Sequence, residues 1–320
     1  MKKPLLYISR PLPEPVIEAA RKIAEVTVAP DNSALTPDAA RVCLDKYDAI
    51  LPTLGDDLGA ETLAGLANQR CRLLANFGVG YNHIDVGAAR ARGLTVTNTP
   101  GAVTDATADI AITLMLMAAR RAGEGERLVR ANKWAGWNPT QMLGMHVSGK
   151  TLGVIGMGRI GQAVARRAHF GFGMDVVFYN RSVVKDLGIR ARQLGSIGDV
   201  MAQSDVISVN VPGGAENRHL ISREVLARAR PTSILINTAR GDVIDEAALI
   251  DALKTKALAG AGLDVYEHEP HVPAALISLE NVVLLPHLGT NALDVRTEMG
   301  LMAVENIRAF FSGETPPNKV

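Results

Sequence analysis

The chain has 320 residues, of which 47% are hydrophobic, and its formal net charge is +1. This length favours two domains, and the charge gives no reason to expect nucleic acid or a membrane as partner. The cysteines, Cys43 and Cys71, have neither a metal-ligand spacing nor a disulfide framework, which favours a reducing, cytoplasmic compartment. The apolar run Ala111–Ala119 is too short to span a membrane, and the N-terminal apolar run is too short for a signal peptide.

The first third of the chain is predicted to alternate short strands with helices. The predicted strands are Leu5–Ser9, Val26–Ala29, Ala49–Leu51, Arg72–Asn76 and Leu94–Thr97. The predicted helices are Pro15–Ile23, Pro37–Leu44 and Ala60–Ala67. Alternation at this spacing predicts an open, mainly parallel sheet covered by helices.

A glycine-containing loop, Phe77-Gly78-Val79-Gly80-Tyr81, directly follows one of these strands. Ligands of such sheets bind outside the carboxyl ends of the strands, and the glycines would let backbone N–H groups approach a small anion. On this motif alone, a glycine turn without a ligand is an equal alternative.

A cluster of chain-breaking residues, 98–101 (NTPG), is a candidate hinge. The segment Ala106–Arg121 that follows is predicted to be a helix. It is apolar almost all round, so we expect it to be buried on more than one side, at a domain crossover or a subunit interface.

Residues 151–182 carry the most specific motif of the chain. A predicted strand, Thr151–Ile155, runs into Gly156-Met157-Gly158-Arg159-Ile160-Gly161, followed by a helix and a second strand, Val176–Tyr179. In this context G-x-G-x-x-G indicates a dinucleotide site, with the pyrophosphate at the positive helix N-terminus. A glycine-rich turn without a ligand is the alternative.

The residue at the end of the second strand indicates which dinucleotide binds. An acidic residue is expected there for the ribose hydroxyls of NAD, but the sequence has Asn180, followed by Arg181 and Ser182. A neutral residue does not repel a 2′-phosphate, and a guanidinium can bind one. We therefore predict a preference for NADPH, with NAD as a second cofactor. An ordinary solvated loop arginine is the alternative.

Further strands are predicted at Val206–Val211, Ile234–Asn237, Ala261–Val265 and Val282–Leu285, and a long amphipathic helix at Ala292–Phe311. The last helix cannot extend the second sheet, so we expect it to return to the first domain. The predicted domains are residues 1–99 with 290–320, for the substrate, and residues 100–289, for the dinucleotide. Both are predicted to be doubly wound α/β domains, the first flavodoxin-like and the second Rossmann-type.

Three residues on one edge of the second sheet could carry the chemistry. Arg240 follows the strand Ile234–Asn237 and can hold a carboxylate with two hydrogen bonds. His287 follows the last strand, and Glu269 could favour its imidazolium form and hold the ring. Each of these residues alone is more often a structural ion pair or cap, so the hypothesis depends on all three sharing one edge.

Six segments of the chain resemble, in order, the signatures of the D-isomer-specific 2-hydroxyacid dehydrogenases. They are LLANFGVGYNHID, NTPGAVTDATADIA, TLGVIGMGRIG, NTARGDVID, GLDVYEHEP and LPHLGT. The neutral Asn180 with Arg181 is similar to the NADPH-using glyoxylate and hydroxypyruvate reductase branch. The resemblance covers roughly residues 50–310. Thr290 and Asn291 are departures, because serine and alanine are commoner after this P-H-L-G.

The resemblance implies a role for each residue that matches a family motif. Arg240 would bind the substrate carboxylate and polarise its carbonyl, His287 would be the proton donor, and Glu269 would tune it. The backbone amides of Val79 and Gly80 would bind the carboxylate. The implied cofactor contacts are Gly156, Gly158, Arg159, Ile160, Gly161, Asn180, Arg181, Ser182, Val211, Pro212, Thr238, Ala239, Arg240, Asp264, His287 and Gly289. No metal site is predicted.

Other readings of the sequence remain open. Another D-2-hydroxyacid dehydrogenase of the family is one, although a phosphoglycerate dehydrogenase-like enzyme would favour an acidic residue at position 180. A redox-sensing interaction protein similar to the C-terminal binding protein corepressors is another. Short-chain dehydrogenases need Tyr-x-x-x-Lys, and zinc alcohol dehydrogenases need a cysteine and histidine cluster; the sequence has neither.

Trp134 and Trp137 are the only tryptophans of the chain, and both lie in a predicted loop after the apolar helix. They could be loop anchors of their own domain. In the reductase branch, a tryptophan matching Trp137 reaches into the partner's active site. The resemblance thus implies a homodimer through the helix around Ala106–Arg121, in which Trp137 limits the size of the substrate.

Overall fold

The computed structural model describes residues 3–66 and 68–320. The chain forms two compact units. The first contains the described residues up to Val103 together with Thr290–Val320, and the second is Thr104–Gly289. The predicted break at residues 98–101 lies just before the first of these boundaries.

The first unit begins with five strands that alternate with helices, as far as the described residues show. The strands are β1 (Leu5–Ile8), β2 (Glu25–Val28), β3 (Ala49–Leu51), β4 (Leu73–Ala75) and β5 (Thr95–Thr97). The helices are α1 (Glu14–Ile23), α2 (Pro37–Lys46), α3 (Ala60–Ala64) and α4 (Val86–Ala91). The predicted helix to Ala67 is shorter than expected, and Ala67 lies outside the described residues. Helix α4, capped by Asp85, was not predicted.

The second unit also alternates strands with helices. Its strands are β6 (Thr151–Ile155), β7 (Asp175–Tyr179), β8 (Ala191–Gln193), β9 (Val206–Val209), β10 (Ile234–Asn237), β11 (Gly260–Leu263) and β12 (Val282–Leu284). Its helices are α5 (Val103–Ala119), α6 (Ala122–Arg130), α7 (Arg159–Phe172), α8 (Ile197–Gln203), α9 (Arg223–Leu226), α10 (Glu246–Lys254) and α11 (Ala274–Ile277). The last helix, α12 (Leu293–Phe311), belongs to the first unit.

Both sheets are parallel throughout their described pairings. The first has the order β2-β1-β3-β4-β5 and the second the order β12-β11-β10-β9-β6-β7-β8. In each the order reverses beside the first strand of the unit, which is where ligands of doubly wound sheets bind. The prediction of two doubly wound parallel sheets is confirmed.

The second sheet is buried on both faces because alternate residues of a strand point to opposite sides. In β10, Ile234 and Ile236 pack in one apolar core, whereas Leu235 packs in another. Leu152 and Val154 of β6 share the first core. Two-sided burial explains why these strands are continuous apolar runs.

In the first unit, α12 and α1 pack closely against each other. A Cβ on Gly300 of α12 would lie 2.4 Å from a methyl carbon of Val16 in α1, so this position admits only glycine without rearrangement. Leu44 of α2, Ile50 of β3 and Leu74 of β4 belong to an apolar core whose described members include no residue of α1 or α12. Among the described residues, no helix is long and apolar enough to cross a membrane.

Candidate active site

The glycine motif of the second unit forms a tight turn between β6 and α7. Gly156 has φ +92°, and Gly158 is the N-cap of α7. A Cβ on Gly161 would lie 2.1 Å from the carbonyl oxygen of Gly156, so this helix can approach the turn only with glycine there. The first-turn N–H groups of α7 have no acceptor within the helix, which leaves them directed at the turn.

The same turn has room for a ligand where the motif predicts one. A Cβ on Gly158 would meet no atom within 4 Å among the described residues, although its φ of −77° is accessible to any residue. Asn180 lies at the end of β7 and accepts a hydrogen bond from the Met157 amide at 3.2 Å. The neutral side chain therefore fixes the turn directly, and its position fits a bound dinucleotide.

Arg181 and Ser182 follow Asn180 in an exposed loop. The Ser182 hydroxyl accepts a hydrogen bond from the side-chain amide of Asn180 at 3.1 Å. The Arg181 guanidinium lies 3.4 Å from Glu216, and the two side chains are 74% and 86% exposed. A pair this exposed stabilises by only about 0–1 kcal/mol, so Arg181 can leave Glu216 for a stronger anion.

The loop after β9 adjoins the turn. Val211 lies against Gly156, where an added Cβ would come within 2.8 Å of a Val211 methyl carbon, and the Pro212 carbonyl accepts a hydrogen bond from Asn217 at 2.9 Å. After β10, the buried Thr238 hydroxyl oxygen has no hydrogen-bond partner among the described residues. Such a polar atom, at the carboxyl edge of the sheet that also carries the glycine turn, fits a dinucleotide that brings its own polar groups.

Arg240 is held at the carboxyl end of β10. Asn237 accepts a hydrogen bond from the Ala239 amide at 3.0 Å and donates one to the Arg240 carbonyl at 2.9 Å. Burial lowers the pKa of the Arg240 guanidinium, although the charges of Glu269 and Asp242 oppose the shift. An arginine remains cationic at neutral pH, so a largely desolvated cation faces this edge.

His287 and Glu269 form a hydrogen-bonded pair. The Nδ1 atom of His287 lies 2.8 Å from the Oε2 atom of Glu269, and each side chain is 30% exposed. A carboxylate can only accept, so the hydrogen lies on Nδ1 and Nε2 is left to exchange a proton with a ligand. The other oxygen of Glu269 accepts from the Tyr266 amide at 3.0 Å.

The protonation state of Glu269 follows from these contacts. Burial raises the pKa of its carboxyl group, but the hydrogen bond and charge of His287, the Tyr266 amide and Arg240 outweigh burial and hold it below its usual value. Glu269 is thus a carboxylate at neutral pH, and it accepts the hydrogen bond from Nδ1 of His287 as a charged group.

Asp264 holds the segment that carries His287. Its two carboxylate oxygens accept hydrogen bonds from the amides of Leu288 at 2.7 Å and Gly289 at 2.8 Å, and its carbonyl accepts from the His287 amide at 3.0 Å. His287 has φ +55°, a conformation that needs such support. Burial raises the pKa of Asp264 despite the opposing effects of the two amides and of His287.

Tyr266 is a further support that the sequence did not reveal. Its hydroxyl donates to the Leu285 carbonyl at 2.9 Å, two residues before His287, while its amide holds Glu269. One residue thus fixes both partners of the pair. The only available signal was its place between Asp264 and Glu269 in GLDVYEHEP.

In the first unit, the Phe77–Tyr81 loop follows β4 at the carboxyl edge of its sheet. The carbonyls of Gly78 and Gly80 each accept a hydrogen bond from the Asn76 side chain, at 3.0 and 3.1 Å. Among the described residues, the structure records no acceptor for the amides of Val79 and Gly80. Donors without partners on one side of a loop can receive an anion.

The segment after α5 is unusually exposed for its apolar content. Every residue of α6 is at least partly exposed. Val129, Trp134, Trp137 and Leu143 have exposed side chains, and that of Trp137 is 80% exposed. As far as the described residues show, Trp137 therefore packs little against its own chain.

The comparisons with known proteins place this geometry in a family. Residues 112–289 match the model of the D-isomer specific 2-hydroxyacid dehydrogenase, NAD binding domain. The chain belongs to this family. It is an NAD(P)-dependent dehydrogenase, and the family resemblance noted in the sequence is confirmed.

Individual relatives are similar over the full chain. A glyoxylate reductase of Thermococcus kodakarensis is 42% identical over 99% of this chain and 96% of its own length. An NADPH-dependent glyoxylate/hydroxypyruvate reductase of Sinorhizobium meliloti, solved with NADP and malonate, is 33% identical with a TM-score of 0.87, over 100% and 97% of the two chains. A glyoxylate reductase of Paecilomyes thermophila is 34% identical with a TM-score of 0.88, over 100% and 99%. These likenesses support the glyoxylate reductase branch and the reduction of 2-oxo acids.

Proposed function

We propose that this protein is an NADPH-preferring reductase of small 2-oxo acids, such as glyoxylate and hydroxypyruvate, that forms the D-2-hydroxy acid. The observation that carries the proposal is the His287–Glu269 pair at 2.8 Å, on the same sheet edge as Arg240. A protonated imidazole held by a carboxylate can donate a proton to the carbonyl group of a substrate. A desolvated guanidinium beside it can anchor the carboxylate of the same substrate.

The reaction divides between the cofactor and the chain. When bound, the nicotinamide supplies a hydride to the carbonyl carbon of the substrate. Protonated His287 donates the Nε2 proton to the carbonyl oxygen, so that the 2-oxo acid gains one hydride and one proton. Glu269 stabilises the imidazolium before transfer, and Arg240 holds the carboxylate and polarises the carbonyl.

The other groups bind and orient. In the first unit, we assign the amides of Val79 and Gly80 to the substrate carboxylate. In the second unit, the glycine turn is the site for the pyrophosphate and Arg181 for the 2′-phosphate. Arg181 forms only a weak ion pair with the exposed Glu216. This supports the proposal that its guanidinium is available to the 2′-phosphate. The remaining implied contacts surround this edge, and Asp264 acts on it by holding residues 287–289.

We further propose a homodimer through α5 and the exposed segment that follows it. The apolar residues Val129, Trp134 and Leu143 supply surface that a second copy would cover. Trp137 would then reach the partner's site and limit the substrate to a small group such as H or CH₂OH. A cytoplasmic location stays a prediction.

A direct assay tests the proposal and separates it from its alternatives. Oxidation of NADPH and of NADH is followed by absorbance with glyoxylate, hydroxypyruvate and phenylpyruvate as substrates. We expect turnover with the two small acids and a higher kcat/KM with NADPH. Turnover of phenylpyruvate alone would indicate another dehydrogenase of the family, and nucleotide binding without turnover of any 2-oxo acid would favour a redox-sensing interaction protein.

A further inference from the structure

The carbonyl groups of the Phe77–Tyr81 loop are held by hydrogen bonds from asparagine and threonine residues. As described above, Asn76 holds the carbonyls of Gly78 and Gly80. The Gly78 carbonyl also accepts from the Thr99 amide at 3.0 Å, and the Val79 carbonyl accepts from the Asn98 side chain at 3.0 Å. Three consecutive carbonyls therefore have fixed directions.

Fixing a carbonyl also fixes the next N–H group. In a planar trans peptide, the C=O of one residue and the N–H of the next point in opposite directions. The bonds to the Gly78 carbonyl therefore direct the Val79 amide, and the single bond from Asn98 to the Val79 carbonyl directs the Gly80 amide. The direction of the Gly80 donor depends on one side chain outside the loop.

Asn98 is itself fixed by α12 and by the residues after it. The Asn98 amide donates to the Asn318 carbonyl at 3.1 Å, and the Asn98 carbonyl accepts from the Asn306 side chain at 3.2 Å. Asn306 is fully buried. Its oxygen accepts from the backbone amide and the side chain of Asn318, at 3.2 and 3.3 Å.

This arrangement connects distant parts of the chain to the loop. Asn306 lies 208 residues from Asn98. The strand-like pairing continues next to Asn318, where Thr97 bridges Lys319 and the Val320 amide donates to the Val96 carbonyl at 3.0 Å. A buried amide whose groups are satisfied fixes its neighbours, because breaking any bond leaves a buried polar group unpaired.

We propose that Asn98, Asn306 and Asn318 are positioning residues that set the affinity of the Val79–Gly80 amides for the substrate carboxylate. The assignment rests on the proposed function, since it concerns the carboxylate of the proposed substrate. The asparagines do not touch the reacting atoms. They act by holding the donor direction of the loop.

The test is Asn98→Ala, with malonate as a carboxylate probe and glyoxylate as substrate. Loss of one neutral hydrogen bond should raise the malonate inhibition constant and the glyoxylate KM by about 3- to 10-fold. We expect kcat at saturating glyoxylate and the NADPH dissociation constant to stay within about twofold, because neither uses the loop amides. The matched control is Asn32→Ala, an exposed asparagine of the same unit, which should change none of these values.

A double-mutant cycle shows whether Asn318 acts through Asn98. Asn318→Ala should raise the malonate inhibition constant by about twofold. Adding Asn318→Ala to Asn98→Ala should not raise this constant further. Thermal unfolding of each variant identifies general destabilisation, which would raise the NADPH constant as well. If the unmodified protein turns over glyoxylate but Asn98→Ala leaves the malonate constant unchanged, the positioning role is wrong. If the unmodified protein neither turns over glyoxylate nor binds malonate, the proposed function fails, and this assignment fails with it.

Discussion

Each of the two units carries a glycine turn directly after a parallel strand, and the two turns are built differently. In the second unit, backbone crowding defines the turn, since a Cβ on Gly161 would lie 2.1 Å from the Gly156 carbonyl oxygen. In the first unit, side chains define the turn, since Asn76 and Asn98 hold the loop carbonyls. One turn is shaped by the absence of side chains and the other by side-chain amides.

The difference explains why one turn has a specific motif and the other does not. Crowding between Gly156 and Gly161 is local, so the spacing of the glycines predicts it. The first-unit loop depends on Asn98 and on Asn306, which is 208 residues further along the chain. Gly78 and Gly80 alone therefore left a ligand and an ordinary turn equally open.

The largest expected effect comes from a substitution that should affect proton transfer but not binding at either turn. His287→Ala removes the proposed proton donor and should lower kcat for glyoxylate by about 10²- to 10⁴-fold. Neither turn includes His287, and the cofactor phosphates are assigned to the β6–α7 turn and Arg181, so the NADPH dissociation constant should change little. Stopped-flow turnover and fluorescence titration measure these values. A large loss of NADPH affinity would show that the residue acts on binding instead.

The second prediction alters the dinucleotide turn alone. Gly158→Ala adds a Cβ that meets no atom of the described residues within 4 Å at a backbone conformation open to alanine, so the melting temperature should not fall. If the pyrophosphate approaches this position, NADPH affinity should fall by roughly 10- to 100-fold, the loss of one or two charge-assisted hydrogen bonds. Gly171→Ala, in α7, is the control, because its added Cβ would also meet no described atom within 4 Å outside its own helix. Unchanged affinity in Gly158→Ala would contradict the assignment of this turn.

These residues also show how far the sequence predicts the site. The fold class, the β6–α7 turn and the shared edge of Arg240, Glu269 and His287 follow from strand ends in a parallel sheet, which periodicity reveals. The supports of His287 could not be predicted from the sequence. Tyr266 and Asp264 act through backbone groups, and the positions of those groups depend on the folded chain. Asp264 was expected only as a cofactor contact, and the structure adds that it holds the His287 segment.

The third prediction tests charge rather than shape at the dinucleotide site. Arg181→Ala should reduce the preference for NADPH over NADH by roughly 10- to 100-fold, since a charge-assisted hydrogen bond contributes about 1.5–3 kcal/mol. The ratio of kcat/KM for the two cofactors is the measurement. Arg190→Ala, an exposed arginine further along the chain, should leave the ratio unchanged. Equal use of both cofactors by the unmodified protein would rule out the preference.

The fourth prediction concerns pH. Glu269→Gln removes the charge that favours the imidazolium of His287, so the fall in reduction rate at high pH should begin at a lower pH. The folded pKa of Glu269 is held below its usual 4.5, so its contribution to stability is present above that pH and is lost as the pH falls through the folded pKa. The difference in melting temperature between Glu269→Gln and the unmodified protein should therefore shrink below pH 4.5. An unshifted rate profile would leave Glu269 a purely structural role.

The smallest expected effect concerns Trp137, which belongs to neither turn. Trp137 is 80% exposed, so contacts within its own chain stabilise it little. We propose that it lies at the active site of the partner subunit. Trp137→Ala should raise kcat/KM for phenylpyruvate relative to glyoxylate by roughly tenfold, as expected when a pocket loses a size limit. Phe170→Ala is the control, because this aromatic residue is 71% exposed and lies on α7 rather than in the segment after α5.

A mixed dimer decides whether Trp137 acts on its partner. In a dimer of one His287→Ala subunit and one Trp137→Ala subunit, the intact His287 lies in the chain that lacks Trp137. If Trp137 crosses to the partner, this working site receives the tryptophan of the His287→Ala subunit, and the substrate ratio returns to that of the unmodified enzyme. If the ratio stays that of Trp137→Ala, the tryptophan acts within its own chain and the reciprocal arrangement is wrong. An unchanged ratio in Trp137→Ala itself would show that the residue does not limit the substrate, however the subunits associate.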